Sequence, residues 1–173
     1  MLSDGWRDQD VLGLPGLGSK HSSSRAAPAE RATVYTVGYG SLSKDDLLGL
    51  LKQYGIELVA DIRRWPTSKL RDFQQSYLGK WLHDAGIRYA WMGRALGGEH
   101  GRGYRNHVKD KKFTRGVDDL AELGNRYKTC VLCVESSPKS CHRRFIADML
   151  EERGVKVYHI FPGNQMVEHR MLW

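Results

Sequence analysis

Thr129-Cys-Val-Leu-Cys-Val-Glu-Ser-Ser-Pro-Lys-Ser-Cys-His-Arg-Arg-Phe-Ile-Ala-Asp-Met-Leu150 begins with the pattern of a strand and ends with that of a helix. Thr129 to Val134 is a short, unbroken apolar run rich in β-branched residues, as a strand covered on both faces requires. Phe145, Ile146, Met149 and Leu150 recur at the three- and four-residue spacing of a helix face. Between them, Cys133 to Arg144 crowds two thiols, a carboxylate, an imidazole and three cations into one strand-to-helix junction. A turn needs none of these groups, so the junction reads as a site.

The same strand-then-helix unit recurs on either side. Val34 to Val37 reads as a strand, followed by a helix capped at Ser43 with Leu47, Leu48, Leu50, Leu51 and Tyr54 on one side and Gly55 as its stop. Leu58 to Ile62 is a second strand, followed by a helix over about 73–85 that buries Tyr77, Leu78, Trp81 and Leu82 and stops at Gly86. Arg88 to Trp91 is a third strand. A long glycine-rich loop follows, then a helix with Phe113, Val117, Leu120 and Ala121 on one side. The strand from Thr129 and its helix come next, Gly154 ends that helix, and Val155 to Phe161 is the fifth strand. Five such alternations predict a single α/β domain over 32–173, with a mainly parallel five-stranded sheet covered by helices on both faces, a Rossmann-like three-layer sandwich. Residues 1–31 mix Gly, Ser, Ala and Pro without a sustained period and read as a flexible tail.

The chain has 173 residues, a formal net charge of +7 and three cysteines. No apolar run is long enough to span a membrane, and no leader pattern opens the sequence. An odd, small number of cysteines does not build a disulfide framework. These features lead to the expectation of a cytoplasmic protein without a membrane partner. The excess of cations favours an anionic partner, either a nucleotide or a nucleic acid.

In an open parallel sheet, ligands bind beyond the carboxyl ends of the strands. The unusual residues of this sequence fall on those loops, whereas the opposite loops are plain helix stops. Gly38, Tyr39 and Ser41 follow the first strand, where backbone N–H groups and a helix start suit a phosphate. Asp61, Arg63 and Arg64 follow the second; Arg63 shares a face with Asp61, so an ion pair between them is the structural alternative. Arg94, Gly97, Gly98 and Arg102 belong to the basic loop after the third, whose length suits anion binding. In the junction after the fourth strand, Cys133 and Glu135 project to one side, while Cys130 points to the other as a core residue. Cys141 falls beside the start of a helix, next to His142, Arg143 and Arg144, a setting that favours thiolate over thiol.

Three chemistries compete for this composite site. In the first, Asp61 and Glu135 handle protons, Arg63, Arg94 and Arg143 bind a phosphate, and Cys141 and His142 complete the machinery of a hydrolase or transferase. In the second, Cys141 is the nucleophile of sulfur-transfer or redox chemistry. In the third, Cys133, Cys141 and His142 hold zinc, although their spacing matches no common finger. A non-catalytic nucleic-acid-binding module using the basic loop is a further alternative. No cofactor motif is present; two glycines after the first strand make no dinucleotide fingerprint.

Thr36-Val37-Gly38, Asp61-Ile62-Arg63 with Pro66, Leu96-Gly97-Gly98, and Cys133-Val-Glu135 followed by Cys141-His142-Arg143 together resemble the family called domain of unknown function 488, over about 34–161. Where many members have Gly-His-Ser, this chain has Gly38-Tyr39-Gly40-Ser41. The resemblance implies the strand–helix alternation and a site at these motifs, and no particular reaction.

Overall fold

The five apolar segments pair side by side because each offers β-branched or aromatic side chains to two covering layers. The computed structural model describes residues 11–12, 32–98 and 104–170. Its strands are β1 (Val11–Leu12), β2 (Thr33–Gly38), β3 (Leu58–Asp61), β4 (Arg88–Trp91), β5 (Thr129–Cys133), β6 (Lys156–Phe161) and β7 (Gln165–Glu168). Its helices are α1 (Lys44–Gln53), α2 (Gln75–Asp84), α3 (Gly93–Leu96), α4 (Tyr104–His107), α5 (Lys111–Arg126) and α6 (Arg143–Glu152). The strands form one sheet in the order β1-β4-β3-β5-β2-β6-β7. The five expected strands are its parallel centre, while β1 and β7 add antiparallel edges. The sheet is therefore seven-stranded rather than five-stranded. Pro162-Gly163-Asn164 turns β6 back into β7, with Gly163 and Asn164 at φ of +76° and +63°. Apart from Val11–Leu12, the expected tail over 1–31 lies outside the described residues.

Helices cover both faces, as the alternation requires. Leu47, Leu50 and Leu51 of α1 and Leu78, Trp81 and Leu82 of α2 pack on one face with Val59, Cys130 and Leu132. Phe113, Val117 and Leu120 of α5 and Ile146, Ala147 and Leu150 of α6 pack on the other with Ala60, Val131 and Cys133. The two-residue period of the strands thus divides each strand's side chains between two cores. Among the described residues, no helix is long and apolar enough to cross a membrane.

Candidate functional site

At the carboxyl end of β5, the period that puts Cys130 and Leu132 under α1 and α2 turns Cys133 toward α6. Pro138–Ser140 then forms a single tight turn, and α6 starts at Arg143 with His142 as its flanking residue and no side-chain cap. Cys141 fills that role. Its Sγ accepts the backbone N–H of Arg143 at 3.4 Å, the position a capping oxygen usually takes. Cys141 Sγ also lies 3.2 Å from Cys133 Sγ and 3.3 Å from Glu135 Oε2, and Cys133 Sγ lies 2.9 Å from the same Oε2. His142 Nδ1 is 3.9 Å from Cys141 Sγ. Both cysteines are buried and Glu135 is exposed, so the cluster meets solvent on the carboxylate side.

The electrostatics divide the two thiols. Hydrogen bonding from Cys133 brings Cys141 down to about 5 against the cost of burial, aided by His142 and by the positive charge of Arg143. Cys133 moves the opposite way, raised by its bond to Cys141, by burial and by the neighbouring carboxylate. Burial opposes ionisation of the Glu135 carboxyl, which is nevertheless held below its ordinary range by the bond from Cys133, with the charge of His142 assisting. One Cys133 S–H proton therefore sits between two anionic acceptors, the Cys141 sulfur and the Glu135 oxygen.

α4 forms a wall of this site. Tyr104 lies with its ring centroid 5.0 Å from His142 and 5.3 Å from Phe145, and donates to the Leu96 carbonyl at 2.8 Å. Gly98 closes the wall, because a Cβ there would stand 3.6 Å from the Tyr104 ring and 3.7 Å from His142 Nδ1. His142 Nε2 is buried without a hydrogen-bond partner.

Arg143 is 1% exposed, and its guanidinium donates to the Glu135 carbonyl at 2.6 Å, the Ser136 carbonyl at 3.1 Å and Thr36 Oγ1 at 3.3 Å. The expected anion-binding arginine is instead an internal brace that fixes the Glu135 backbone. Behind it runs a chain the sequence reading missed. Thr36 Oγ1 meets His159 Nδ1 at 2.7 Å, His159 Nε2 meets His169 Nδ1 at 2.9 Å, and His169 Nε2 meets Asp148 Oδ1 at 2.8 Å. A histidine in the middle of an apolar strand, at His159, was the available signal.

Asp61 and Arg63 do not join the cysteines. Asp61 pairs in register with Leu132 and shares its face, whereas Cys133 projects from the other face of the sheet. Asp61 is fully buried and pairs with the Arg63 guanidinium at 2.5 and 2.8 Å; Tyr89 donates to it at 2.8 Å. Arg63 donates further to Tyr39 Oη at 3.1 Å and to the Phe73 carbonyl at 2.8 Å. The Asp61 carboxylate and the Arg63 guanidinium, expected from sequence to move protons and to bind phosphate, are thus turned inward and paired with protein groups.

The glycines and the first loop, expected from sequence to bind phosphate, have packing roles of their own. Gly38 is required by crowding, since a Cβ there would stand 1.9 Å from the Glu135 carbonyl oxygen. Tyr39 is buried and stacks on Phe73 with centroids 4.1 Å apart. The start of α1 beyond Ser41 is closed by a Ser43–Asp46 capping box, with Asp45 beside it, so negative charge already occupies the expected phosphate position. Gly97 makes close backbone packing against Gly93 and Arg64. Arg94 is exposed, while Arg102 lies outside the described residues.

The structure thus brings Cys133, Glu135, Cys141 and His142 together, with Gly98 and Arg143 supporting them. The sequence model of the domain of unknown function DUF488 matches residues 43–150, more than half of the chain. The chain belongs to this family. No curated protein and no solved structure matches it. The matched span of this DUF488 member contains all four clustered residues, whereas Gly38, His159 and His169 lie outside it. The donor atoms of Cys133, Glu135, Cys141 and His142 all lie within 4.8 Å of one another. Two sulfurs, one imidazole and one carboxylate match in number and type what a tetrahedral zinc ion accepts. Glu135 adds a fourth donor to the three residues that the sequence offered as an alternative zinc set.

Proposed function

We propose that this DUF488 protein is a thiol enzyme, in which Cys141 is the nucleophile and Cys133 the resolving thiol of a two-electron thiol–disulfide couple. The observation that carries the reading is the 3.2 Å approach of the two sulfurs with one carboxylate against both. The Cys141 thiolate attacks one sulfur of a substrate disulfide, forming a mixed disulfide and releasing the other half as a thiolate. Glu135 then takes the proton from Cys133, whose sulfur attacks Cys141 and expels the second thiolate. The expelled thiolate takes up a proton. Two electrons have passed from the protein dithiol to the substrate, leaving a Cys133–Cys141 disulfide. Burial of both sulfurs favours a slim substrate, a small-molecule disulfide or an extended chain, over a folded protein.

Mass spectrometry after exposure to oxidised glutathione tests this. The wild type is expected to lose about 2 Da through the internal disulfide, Cys133→Ser to accumulate a glutathione adduct on Cys141, and Cys141→Ser to do neither. A Cys133→Ser protein without an adduct on Cys141 would overturn the assignment. Zinc binding is the second reading, supported by the four converging donors. It predicts about one zinc per chain in protein purified without chelators, lost in both Cys133→Ser and His142→Ala. It also predicts thiols that stay unreactive until the metal is removed.

A further inference from the structure

In the connection between β3 and α2, Phe73 is buried whereas Trp65 faces outward. Trp65 is 68% exposed and Leu70 54%, although nothing in folding favours leaving groups of this size in water. The loop is also held in place: the Gln75 N–H donates to the Pro66 carbonyl, the Phe73 N–H to the Leu70 carbonyl and the Gln74 side chain to the Ser68 carbonyl. Trp65 is therefore displayed from a connection that is tied down at several points.

Three rings in this region, those of Trp65, Tyr77 and Trp91, each have a guanidinium partner. Arg64 lies 5.5 Å from the Trp65 ring, Arg71 4.4 Å from Tyr77 and Arg94 5.7 Å from Trp91. The Arg64–Trp65 and Arg94–Trp91 pairs are tied together, because Arg64 Nη1 donates to the Arg94 carbonyl at 3.1 Å and Trp91 Nε1 donates to the Arg63 carbonyl at 2.9 Å. The Arg71–Tyr77 pair flanks the start of α2, where the Gln75 N–H donates to the carbonyl of Pro66, next to Trp65. Outside the buried Asp61–Arg63 pair, residues 62–77 and 92–98 contain Arg64, Lys69, Arg71 and Arg94 against the single acid Asp72. Cations alternating with exposed rings offer both a track for phosphates and stacking surfaces for bases.

We infer that this surface binds single-stranded nucleic acid, with bases stacking at Trp65 and Tyr77 and Arg71 and Arg94 contacting phosphates. The sign of the charge selects a polyanion, and the rings select unpaired bases over a duplex, whose bases are stacked internally. The rigid loop and the interleaving of charge with aromatic groups suit a strand laid along the surface better than insertion into a lipid layer. The backbone links this region to the cysteine cluster through the interior: buried Gly97 packs on the Arg64 backbone, and the next residue, Gly98, lies near His142. The inference does not depend on the thiol reading, since it uses none of the clustered residues.

The test is fluorescence anisotropy with labelled oligothymidylate and oligouridylate of about 12 nucleotides, in single-stranded and duplex form, as a function of salt. Trp65→Ala is expected to weaken single-strand binding about ten-fold, while Trp65→Phe keeps it. Arg71→Ala and Arg94→Ala are each expected to reduce the slope of log affinity against log salt by about 0.7. Arg126→Ala, at the end of α5, and Lys128→Ala, just before β5, serve as controls expected to have no effect. All substituted side chains are exposed or half-buried, and circular dichroism checks the fold. The inference is overturned by no binding at low salt, by equal binding of duplex, or by Trp65→Ala leaving affinity intact. It is also overturned if anionic phosphatidylserine vesicles, and not oligonucleotides, quench the tryptophan signal in a Trp65-dependent way.

Discussion

Removing the Cys133 thiol should raise the pH at which Cys141 becomes reactive. The Cys133 hydrogen bond is the largest influence holding Cys141 near 5. A hydrogen bond to a charged acceptor contributes about 1.5–3 kcal/mol, and about 1.4 kcal/mol corresponds to one pH unit, so Cys133→Ala should move the midpoint up by about one to two pH units. Cys133→Ser keeps a donor and should leave the midpoint near the wild-type value. The assay is the iodoacetamide alkylation rate of Cys141 against pH in chelator-treated protein, with thiolate absorbance as a parallel readout. At pH 6 a thiol with a midpoint of 5 is about 90% thiolate, against roughly 0.3% for an unperturbed cysteine. Low basicity reduces intrinsic nucleophilicity and burial slows access, so the diagnostic quantity is the midpoint rather than the absolute rate. A wild-type midpoint above pH 8, or no upward movement in Cys133→Ala, would refute the reasoning.

Three further outcomes are expected. Asp61→Asn strands the buried Arg63 charge and should cost about 3–5 kcal/mol in urea unfolding, while the Cys141 midpoint stays unchanged; a midpoint shift without loss of stability would restore a role for Asp61 in the site. Burial, with help from His169 and Arg143, depresses His159 to about 3, so between about pH 3 and 6.5 the unfolded chain binds a proton that the native protein refuses. Stability from this group is complete above pH 6.5 and is lost on acidification by about 1.4 kcal/mol per pH unit. His159→Gln should flatten that part of the curve measured by urea unfolding at successive pH values. Gly38→Ala drives a Cβ into the Glu135 carbonyl and should cost about 1–3 kcal/mol in the same measurement, with the Cys141 midpoint moving as the Glu135 loop shifts.

Much of the fold was legible because periodicity is a local property. Apolar runs at Val34, Leu58, Arg88, Thr129 and Val155, separated by helical patterns, were enough to predict a parallel sheet covered on both faces, and the Ser43 cap and glycine stops agree with the observed ends. The antiparallel β7 was missed, although Pro162-Gly163-Asn164 is a turn signal that could have revealed it. The pairing of Cys133 with Glu135 was also local, following from their two-residue spacing on an extended chain.

What the sequence alone determined was therefore the layer architecture and the cysteine–carboxylate–histidine junction, because each depends on residues close together along the chain. Tertiary structure decided which of the charged groups around the strand ends belong to that junction. Asp61 and Cys133 end neighbouring strands, yet register places Asp61 beside Leu132, on the opposite side of the sheet from Cys133. Burial then turns Arg63 and Arg143 from candidate anion ligands into internal braces. A guanidinium enclosed by a carboxylate or by backbone carbonyls has most of its donors committed, and no one-dimensional pattern records which groups will enclose it.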